Sequence, residues 1–398
     1  MFDKIISFFS IFLLIVLANS CESLSSKNTS LSYTRLGFKG NDLLKSVHQN
    51  SDGSFIIIGR TDNYRGNSDI LIVLTDAYLN PVWYKAIGSE KADYGTDITE
   101  TSDGNFLAVG TIQITGNNKD VVTLLLDRSG KLLASKSYGG LAPDEAQRLI
   151  KLDYGVFAMI GNTGSFGHGA SDVWLILLDA FGDSTRSYTF GTEDDEHVLG
   201  AIQSQNGSIY CTGYVSAAEY VPFLLTINSD MSNHLWVRYP ARNSRDEAYD
   251  IKETSNGDLI MVGRTNIFRS PYENYDAQVF KTDASGAKSW VTRFGKTKYD
   301  ILESCIPLDD NGCIVIGSSL HVSPKYVANQ QALIARIQST GDTVWTRQIG
   351  GSPPDEAVCI LPIGLNRFLI GGNTRNGQYG DWDIVFFMID ENGNHDFN

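Results

Sequence analysis

The stretch "DEAYDIKETSNGDLIMVGRT", Asp246 to Thr265, contains the pattern that decides the fold of this chain. A strand-like segment begins at Asp246. It is followed by the turn sequence Ser-Asn-Gly-Asp and then by the apolar run "LIMVG", Leu259 to Gly263. Two such segments on either side of an Asn-Gly pair are typical of a β-hairpin. The stretch therefore predicts two antiparallel strands joined by a tight turn.

The same hairpin recurs along the chain. Its first aspartate is followed by a glycine in the second strand, seventeen residues later, or eighteen in the fourth copy. Successive aspartates are 51 residues apart in the first five copies, and the last two intervals are 54 and 55 residues. A fixed period in this range predicts a propeller or a solenoid. The aspartates are Asp42, Asp93, Asp144, Asp195, Asp246, Asp300 and Asp355, and the glycines are Gly59, Gly110, Gly161, Gly213, Gly263, Gly317 and Gly372.

Each copy also contains a third apolar strand and a second turn such as "DASG", and the first six copies continue into a fourth strand that often contains Trp. No 3.6-residue period persists anywhere, so no long helix is predicted. Four short antiparallel strands in each of seven copies predict an all-β protein, a seven-bladed β-propeller. The main alternative is a β-helix, but its coils are shorter than 51 residues and do not use tight hairpin turns.

The last copy ends in "DIVFFMIDENGNHDFN" and shows no fourth strand after its third. The segment "LSYTRLG", Leu31 to Gly37, has the character of the fourth strands, as in "SWVTRFG". We therefore predict that Leu31–Gly37 pairs with Asp383–Asp390, so that one strand from the start and three from the end close the ring. Residues 31–398 are then a single propeller domain.

The repeat unit "WTRQIGGSPPDEAVCI", followed in the same copy by "FLIGGNT" and "DIVFFMIDENG", resembles the SBBP-type β-propeller repeats of bacterial secreted and surface proteins. The resemblance spans residues 31 to 393. It implies the propeller fold in an exported protein. It implies no particular activity, because one fold supports many functions.

The N-terminal twenty residues differ from the rest. "IISFFSIFLLIVL", Ile5 to Leu17, is an apolar run of 13 residues after Lys4, which is too short to span a bilayer comfortably. We interpret residues 1–20 as a signal peptide. The ending "LANSC" resembles the lipobox of bacterial lipoproteins, which implies that Cys21 carries a lipid and that residues 21–30 are a tether. The alternative is an ordinary signal peptide or an uncleaved anchor. The expected location is the outer membrane of a Gram-negative envelope, on its periplasmic or surface face.

The net charge of −14 argues against a nucleic-acid partner, because phosphate binding needs a concentrated basic surface. Neither the remaining cysteines nor the six histidines show metal-ligand spacing, so we predict no metal and no cofactor. The expected state is a monomer that contacts the membrane only through its N-terminal lipid. The pattern leaves open whether any disulfide forms among Cys211, Cys305, Cys313 and Cys359.

No linear enzyme motif is present, neither G-x-S-x-G nor a phosphate-binding loop. The repeated aspartates occur in every copy. This favours a structural role in the turns over a metal or catalytic role, because a catalytic site is asymmetric. The sequence therefore predicts a protein that is not an enzyme.

The loops between the second and third strands differ most from copy to copy. In copies five to seven they are rich in arginine and aromatic residues, which suit sugar rings or peptide side chains. The alternative is that these loops only cover the ends of the sheets. The candidate ligand-binding residues are Arg264, Phe268, Arg269, Tyr272, Tyr275, Lys325, Tyr326, Arg375, Tyr379 and Trp382.

The main functional prediction is an envelope lipoprotein that acts as a non-enzymatic binding or scaffold module for a protein or a glycan. One alternative is a glycan-active enzyme, a lyase or a hydrolase, whose site is assembled from several blades without a linear motif. The other is a scaffold subunit of an outer-membrane assembly complex. The sequence does not identify the partner.

Overall fold

The described residues fold almost entirely into β-strands, with one 3-10 turn at Asp153–Gly155 and no α-helix. None of the described residues therefore forms a helix that is long and apolar enough to cross a membrane. The strands are β1 Ile15–Asn19, β2 Thr34–Leu36, β3 Asp42–Gln49, β4 Phe55–Thr61, β5 Asp69–Thr75, β6 Pro81–Gly88, β7 Asp93–Glu100, β8 Phe106–Thr115, β9 Asn118–Leu126, β10 Leu132–Tyr138, β11 Asp144–Lys151, β12 Phe157–Thr163, β13 Asp172–Leu178, β14 Ser184–Phe190, β15 Asp195–Gln203, β16 Ile209–Ser216, β17 Tyr220–Ile227, β18 His234–Arg238, β19 Ser244–Glu253, β20 Leu259–Ile267, β21 Asp276–Thr282, β22 Lys288–Phe294, β23 Tyr299–Pro307, β24 Cys313–Ser323, β25 Tyr326–Ile337, β26 Thr343–Ile349, β27 Asp355–Gly364, β28 Arg367–Thr374 and β29 Asp383–Asp390.

The computed structural model describes part of the chain: residues 15–19, 33–38, 40–62, 67–217, 219–240, 244–267, 275–295, 299–323, 326–350, 355–375 and 381–395. Several residues singled out from the sequence lie outside these ranges, namely Cys21, Phe268, Arg269, Tyr272, Lys325 and Tyr379. The backbone of Tyr326 is described, but its side chain is not.

The strands form six sheets in the described part of the chain. Four of them contain four antiparallel strands: β7–β10, β11–β14, β23–β26 and the group β2-β29-β28-β27. The sheet β3–β6 has β1 added outside β6, and β1 lies within the segment interpreted as a signal peptide. The remaining sheet has eight strands, in which β15–β18 and β19–β22 are joined by one parallel residue pair, Tyr220 with Arg245.

The first strands of the repeats form a closed series. Each of β3, β7, β11, β15, β19, β23 and β27 contacts the next, and β27 contacts β3. The last sheet includes the N-terminal strand predicted for it, because β2 pairs antiparallel with β29 from Thr34 opposite Phe386 to Leu36 opposite Ile384. The backbone N–H of Asp42 also donates to the carbonyl of Trp382, 2.9 Å away. The fold is thus all-β and propeller-like.

Apolar clusters fill the spaces between successive sheets. Ile56 and Ile72 of one sheet pack against Phe106 and Val122 of the next, and all four are at most 1% exposed. The second and third strands supply most of these side chains, which explains why they appear in the sequence as continuous apolar runs. Burial of this apolar surface is the main force that holds neighbouring sheets together.

Every first strand contains an extra residue where it passes the repeated glycine of its partner strand. In β3 the register passes from Leu44 opposite Gly59 to Ser46 opposite Ile58, so Lys45 is bulged. The same shift occurs in all seven first strands and always opposite the repeated glycine. The bulge brings a backbone carbonyl against that glycine. A Cβ on Gly161, for example, would lie 2.0 Å from the carbonyl oxygen of Glu145. The repeated glycine is therefore required by close backbone approach.

The repeated carboxylates hold the turns that enter the first strands. Asp144 accepts hydrogen bonds from the Gly140 N–H at 2.8 Å and from the Thr163 hydroxyl at 2.5 Å, and it is fully buried. In the fourth copy this place is taken by Glu196, which accepts from the Thr192 N–H at 2.9 Å. Asp195 there is half-buried and accepts from the Ala170 N–H instead. The extra residue between aspartate and glycine in this copy is explained by that exchange.

We expect Gly161→Ala to lower the free energy of unfolding by at least about 2 kcal/mol, because the new methyl group overlaps a backbone carbonyl that cannot rotate away. Gly155→Ala, in the turn between β11 and β12, is the control in the same repeat. It meets open space at a φ of +72° and should lower the free energy by only about 1 kcal/mol. Denaturant unfolding measures both variants. Equal effects would contradict the proposed role of the glycine.

Burial raises the pKa of the Asp42 carboxyl to about 6, and the neighbouring Asp383 and Asp62 act in the same direction. A carboxyl whose pKa is higher in the folded state stabilises the protein below its unfolded pKa, and this contribution is lost as the pH rises to about 6. The change in the free energy of unfolding caused by Asp42→Asn should therefore be more stabilising at pH 7 than at pH 4, by up to about 3 kcal/mol. Denaturant unfolding at the two pH values tests this. A constant difference would contradict the expected pKa.

Candidate functional site

The bulged residues of the first strands line two cavities at the centre of the series. The upper cavity has a volume of about 530 Å³ and lies where the first strands begin. The lower cavity has a volume of about 350 Å³. Four bulged residues, Lys45, Gln147, Glu303 and Val358, line both, so they form the boundary between the cavities. The other bulged residues are Thr96, beside the upper cavity, and Leu199 and Tyr249, beside the lower one.

Two of the boundary residues are oppositely charged. Lys45 comes from the first copy and Glu303 from the sixth, and each stands on the bulge of its strand. Within the described ranges neither side chain has a hydrogen bond or an ion pair, although the charge of each shifts the pKa of the other. The Lys45 side chain is exposed to solvent, and that of Glu303 is half-buried. Lys45 and Glu303 are therefore available to a ligand in the cavity.

Enclosure by the surrounding strands lowers the pKa of the Lys45 amine, and the positive charge of Arg148 lowers it further. The carboxylates of Glu303, Asp97 and Asp250 oppose this shift. The side chain nevertheless keeps solvent access through the cavity. An accessible amine with a lowered pKa is a better proton acceptor near neutral pH than an ordinary lysine.

Burial raises the pKa of the Glu303 carboxyl, while the positive charges of Lys45, Arg148 and Arg264 act against the increase. Burial also raises the pKa of Glu356, another residue of the upper cavity, and Glu303 contributes to that increase. A carboxyl with a raised pKa remains protonated to a higher pH, so it can donate a proton to a leaving group.

The wall of the upper cavity combines cations, carboxylates and one aromatic ring, that of Tyr94. The guanidinium of Arg60 lies 5.8 Å from the ring centroid of Tyr94 and makes no ion pair within the described ranges. Two other groups are already engaged: Lys119 Nζ lies 2.6 Å from Glu145 Oε1, and the Gln330 amide donates to Glu356 at 2.9 Å. Arg60 is thus a cation of this wall that is free to meet an anionic ligand.

Two aspartates fix the first strands below the bulges. Asp97 accepts from the Ser46 hydroxyl at 2.8 Å and from the Leu149 N–H at 2.9 Å, and so links three neighbouring first strands. Asp250 accepts from the Ser304 hydroxyl at 2.8 Å and forms an ion pair with Lys252 at 2.7 Å. These bonds hold the bulged residues in fixed positions around the cavities.

The structure separates the candidate ligand-binding residues that it describes. Arg264 donates to Glu247 at 2.7 Å and lies between two rings, with its guanidinium 5.6 Å from Tyr249 and 4.2 Å from Tyr275. Tyr275 is buried, so its ring presents no open face to solvent. Trp382 is half-buried and Arg375 is exposed, and neither lines the cavities.

The boundary residues Lys45 and Glu303 were not identified from the sequence. A signal for them exists, since the third residue after the repeated carboxylate differs in every copy: Lys45, Thr96, Gln147, Leu199, Tyr249, Glu303 and Val358. The carboxylate and the glycine of the repeat recur, and this position does not. Without the bulge, however, nothing in the pattern shows that it faces the centre.

No three His, Cys, Asp or Glu side chains come together as a metal site in the part of the chain that the structure describes. The four described cysteines are free thiols in the structure. Burial raises the pKa of Cys313 and of Cys359 to about 12, which keeps both thiols protonated.

The fold is shared with several solved structures. An ulvan lyase of polysaccharide lyase family 25, bound to -[GlcA(1-4)Rha3S]-, matches with a TM-score of 0.56 and 9% identity, over 90% of this chain and 96% of that chain. The polysaccharide lyase Uly1 matches with a TM-score of 0.51 and 10% identity, over 93% and 94% of the two chains. The Pan2 WD40 domain of Neurospora crassa matches with a TM-score of 0.51 and 10% identity, over 90% and 95%. No protein-family model matches the sequence, and no curated protein matches it.

These comparisons correct one prediction. The expectation that the protein is not an enzyme is wrong, because the neighbours in fold include polysaccharide lyases and the Synechocystis apocarotenoid oxygenase, at a TM-score of 0.51 and 10% identity over 91% and 92% of the two chains. The expectation was based on the absence of a linear motif. When a site is lined by single residues from different repeats, these residues lie far apart in sequence and form no linear motif.

The electrostatic coupling of the two boundary residues gives a direct prediction. Because the carboxylate of Glu303 favours the charged amine, Glu303→Gln should lower the pKa of Lys45 further. The pH dependence of Lys45 acylation, followed by peptide mass spectrometry, measures this pKa. The exposed Lys288 serves as the internal control, and its labelling should not change. An unchanged Lys45 profile would show that the two groups do not face each other.

Proposed function

We propose that the protein is a polysaccharide-cleaving enzyme with a seven-bladed propeller fold and an active site in the upper cavity. The observation that carries the proposal is the pair Lys45 and Glu303, two charged side chains without protein partners in the described ranges that face one cavity. Unpaired charges with shifted pKa values in a cleft are typical of catalytic sites.

Seven blades are supported by the seven bulged first strands and by their closed series of contacts. On this interpretation β15–β18 and β19–β22 are two blades, joined only where Tyr220 meets Arg245. Each blade then presents one bulged residue to the axis. The site is asymmetric because these residues differ, although the backbone repeats.

The chemistry of the cavity favours β-elimination on a uronate-containing chain. In this reaction a base removes the proton next to the sugar carboxylate, the bond to the leaving oxygen breaks, and a carbon–carbon double bond forms. Neutral Lys45 accepts the proton, and protonated Glu303 donates one to the leaving oxygen, so the site gains and loses one proton in each turnover. Arg60 binds the carboxylate and stabilises the negative charge that develops on it. The polysaccharide lyases among the neighbours in fold support this choice over hydrolysis.

The cellular setting is part of the proposal. An SBBP-type propeller that is exported and attached to the outer membrane through a lipid on Cys21 would meet polysaccharides outside the cytoplasm. Cys21 precedes β2, and β2 is the outer strand of its sheet, so the tether would leave the propeller at its rim. The cavity would then remain open to a long substrate.

Activity measurements on uronate polysaccharides, beginning with ulvan, test the proposal. We expect the full chain to release products with the ultraviolet absorbance of an unsaturated uronate. Lys45→Met and Glu303→Gln should each lower kcat by about 10²–10⁴-fold, because each removes a group that transfers a proton. Lys288→Met, on an exposed outer strand, is the matched control and should leave the rate unchanged.

Two results would overturn parts of this proposal. Cleavage that yields only saturated ends would identify a hydrolase and remove the elimination mechanism. Full activity in both variants, with unchanged melting temperatures, would show that the upper cavity is not the active site.

A further inference from the structure

Four side chains of the fourth and fifth repeats form one continuous stack, which we call the aromatic stack: His197, Tyr214, Tyr220 and Arg245. The rings of His197 and Tyr214 have centroids 4.8 Å apart at 27°, and those of Tyr214 and Tyr220 are 4.8 Å apart at 21°. The guanidinium of Arg245 lies 5.3 Å from the ring centroid of Tyr220. Near-parallel rings at these distances are in direct contact.

The stack runs outwards from the centre of the molecule. His197 is on the first strand β15, Tyr214 on the second strand β16 and Tyr220 on the third strand β17. Its inner end lies beside the wall of the upper cavity, because β15 contacts β11, and His197 follows the repeated carboxylate of β15 as Glu145, which lines the cavity, follows that of β11. The stack therefore connects the cavity with the outer part of the molecule.

The exposure of the four residues argues against a purely structural role. His197, Tyr214 and Tyr220 are half-buried, and Arg245 is exposed. The neighbouring set around Arg264 differs, since Arg264 pairs with Glu247 and Tyr275 is buried. In the described part of the chain, Arg245 has no ion pair and the Tyr220 hydroxyl has no hydrogen bond. These groups remain available to a ligand.

We infer that the aromatic stack is a subsite for a further sugar unit of an anionic polysaccharide whose cleaved unit occupies the upper cavity. This inference rests on the proposed function. The hydroxyl groups of a pyranose hydrogen-bond to polar groups at the edge of such a stack, and its acidic substituent pairs with a guanidinium. The Tyr220 hydroxyl hydrogen-bonds to that unit, and Arg245, which covers the outer face of the Tyr220 ring, binds its carboxylate or sulfate. The subsite sets the preference for long chains and takes no part in bond cleavage.

The test measures affinity rather than rate. Ulvan oligosaccharides of two and six sugar units are titrated calorimetrically into the full chain carrying Glu303→Gln, so that the probe is not consumed. We expect the longer probe to bind at least about tenfold more tightly than the shorter one. Tyr220→Ala and, separately, Arg245→Ala should remove most of this advantage without changing the affinity for the shorter probe. Because Arg245 is exposed, its variant tests the inference even if Tyr220→Ala does not fold.

The outcomes separate this inference from the proposed function. Tyr78→Ala, at an exposed tyrosine in the turn after β5, is the control and should keep the full advantage. Variants of Tyr220 and Arg245 that also keep it would overturn the subsite, even if the protein cleaves ulvan. A protein that shows the length-dependent affinity but cleaves nothing would support the subsite and overturn the enzyme. Absence of binding to either probe would overturn both.

Discussion

The close approach of a backbone carbonyl to a glycine is the constraint on which the rest of the structure depends. In each repeat the first strand bulges against the second, and its carbonyl oxygen occupies the space that a Cβ would fill. The glycine permits the bulge, and the bulge turns one side chain per repeat towards the centre. The buried carboxylates at the strand starts, such as Asp144, hold the entering turns in place. Fold and site therefore share one cause. The bulge that recurs opposite each repeated glycine is also the feature that lines the cavities with side chains.

This arrangement divides the chain into positions with different tasks. The glycine and the carboxylate recur because every copy needs the same backbone geometry. The bulged position has no such requirement, and it holds Lys45 in one copy, Leu199 in another and Glu303 in a third. A symmetric scaffold can therefore carry an asymmetric site, with opposite charges at one cavity rather than adjacent in sequence. The same reasoning explains why these two residues are far apart in the chain but influence the pKa values of each other.

The sequence predicted the all-β architecture and the pairing of the N-terminal strand because both follow from local patterns, namely hairpin turns, apolar runs and a repeat period. It did not predict the site, because bulging depends on register between strands, and register is not visible in one strand alone. Asp195 is an example at a single residue. Its spacing of eighteen residues to Gly213 differs from that of the other copies because Glu196, and not Asp195, takes the place of the repeated aspartate. Arg264 and Tyr275 were predicted as binding residues from the composition of their loop. In the folded protein Arg264 pairs with Glu247 and Tyr275 is buried, and loop composition shows neither contact.

The strand β2 is only three residues long, and it completes a sheet whose other strands come from the far end of the chain. Contacts across this closure, such as the Leu44 N–H with Asn373, join residues 329 positions apart. We expect this closure to be a late event in folding, since the entropy of so large a loop opposes it until both neighbouring sheets exist. Until then β29 would have an unpaired edge open to another strand. At high concentration the β2 segment of a second molecule would satisfy that edge equally well, so the feature that closes the ring is also a route to strand-exchanged oligomers.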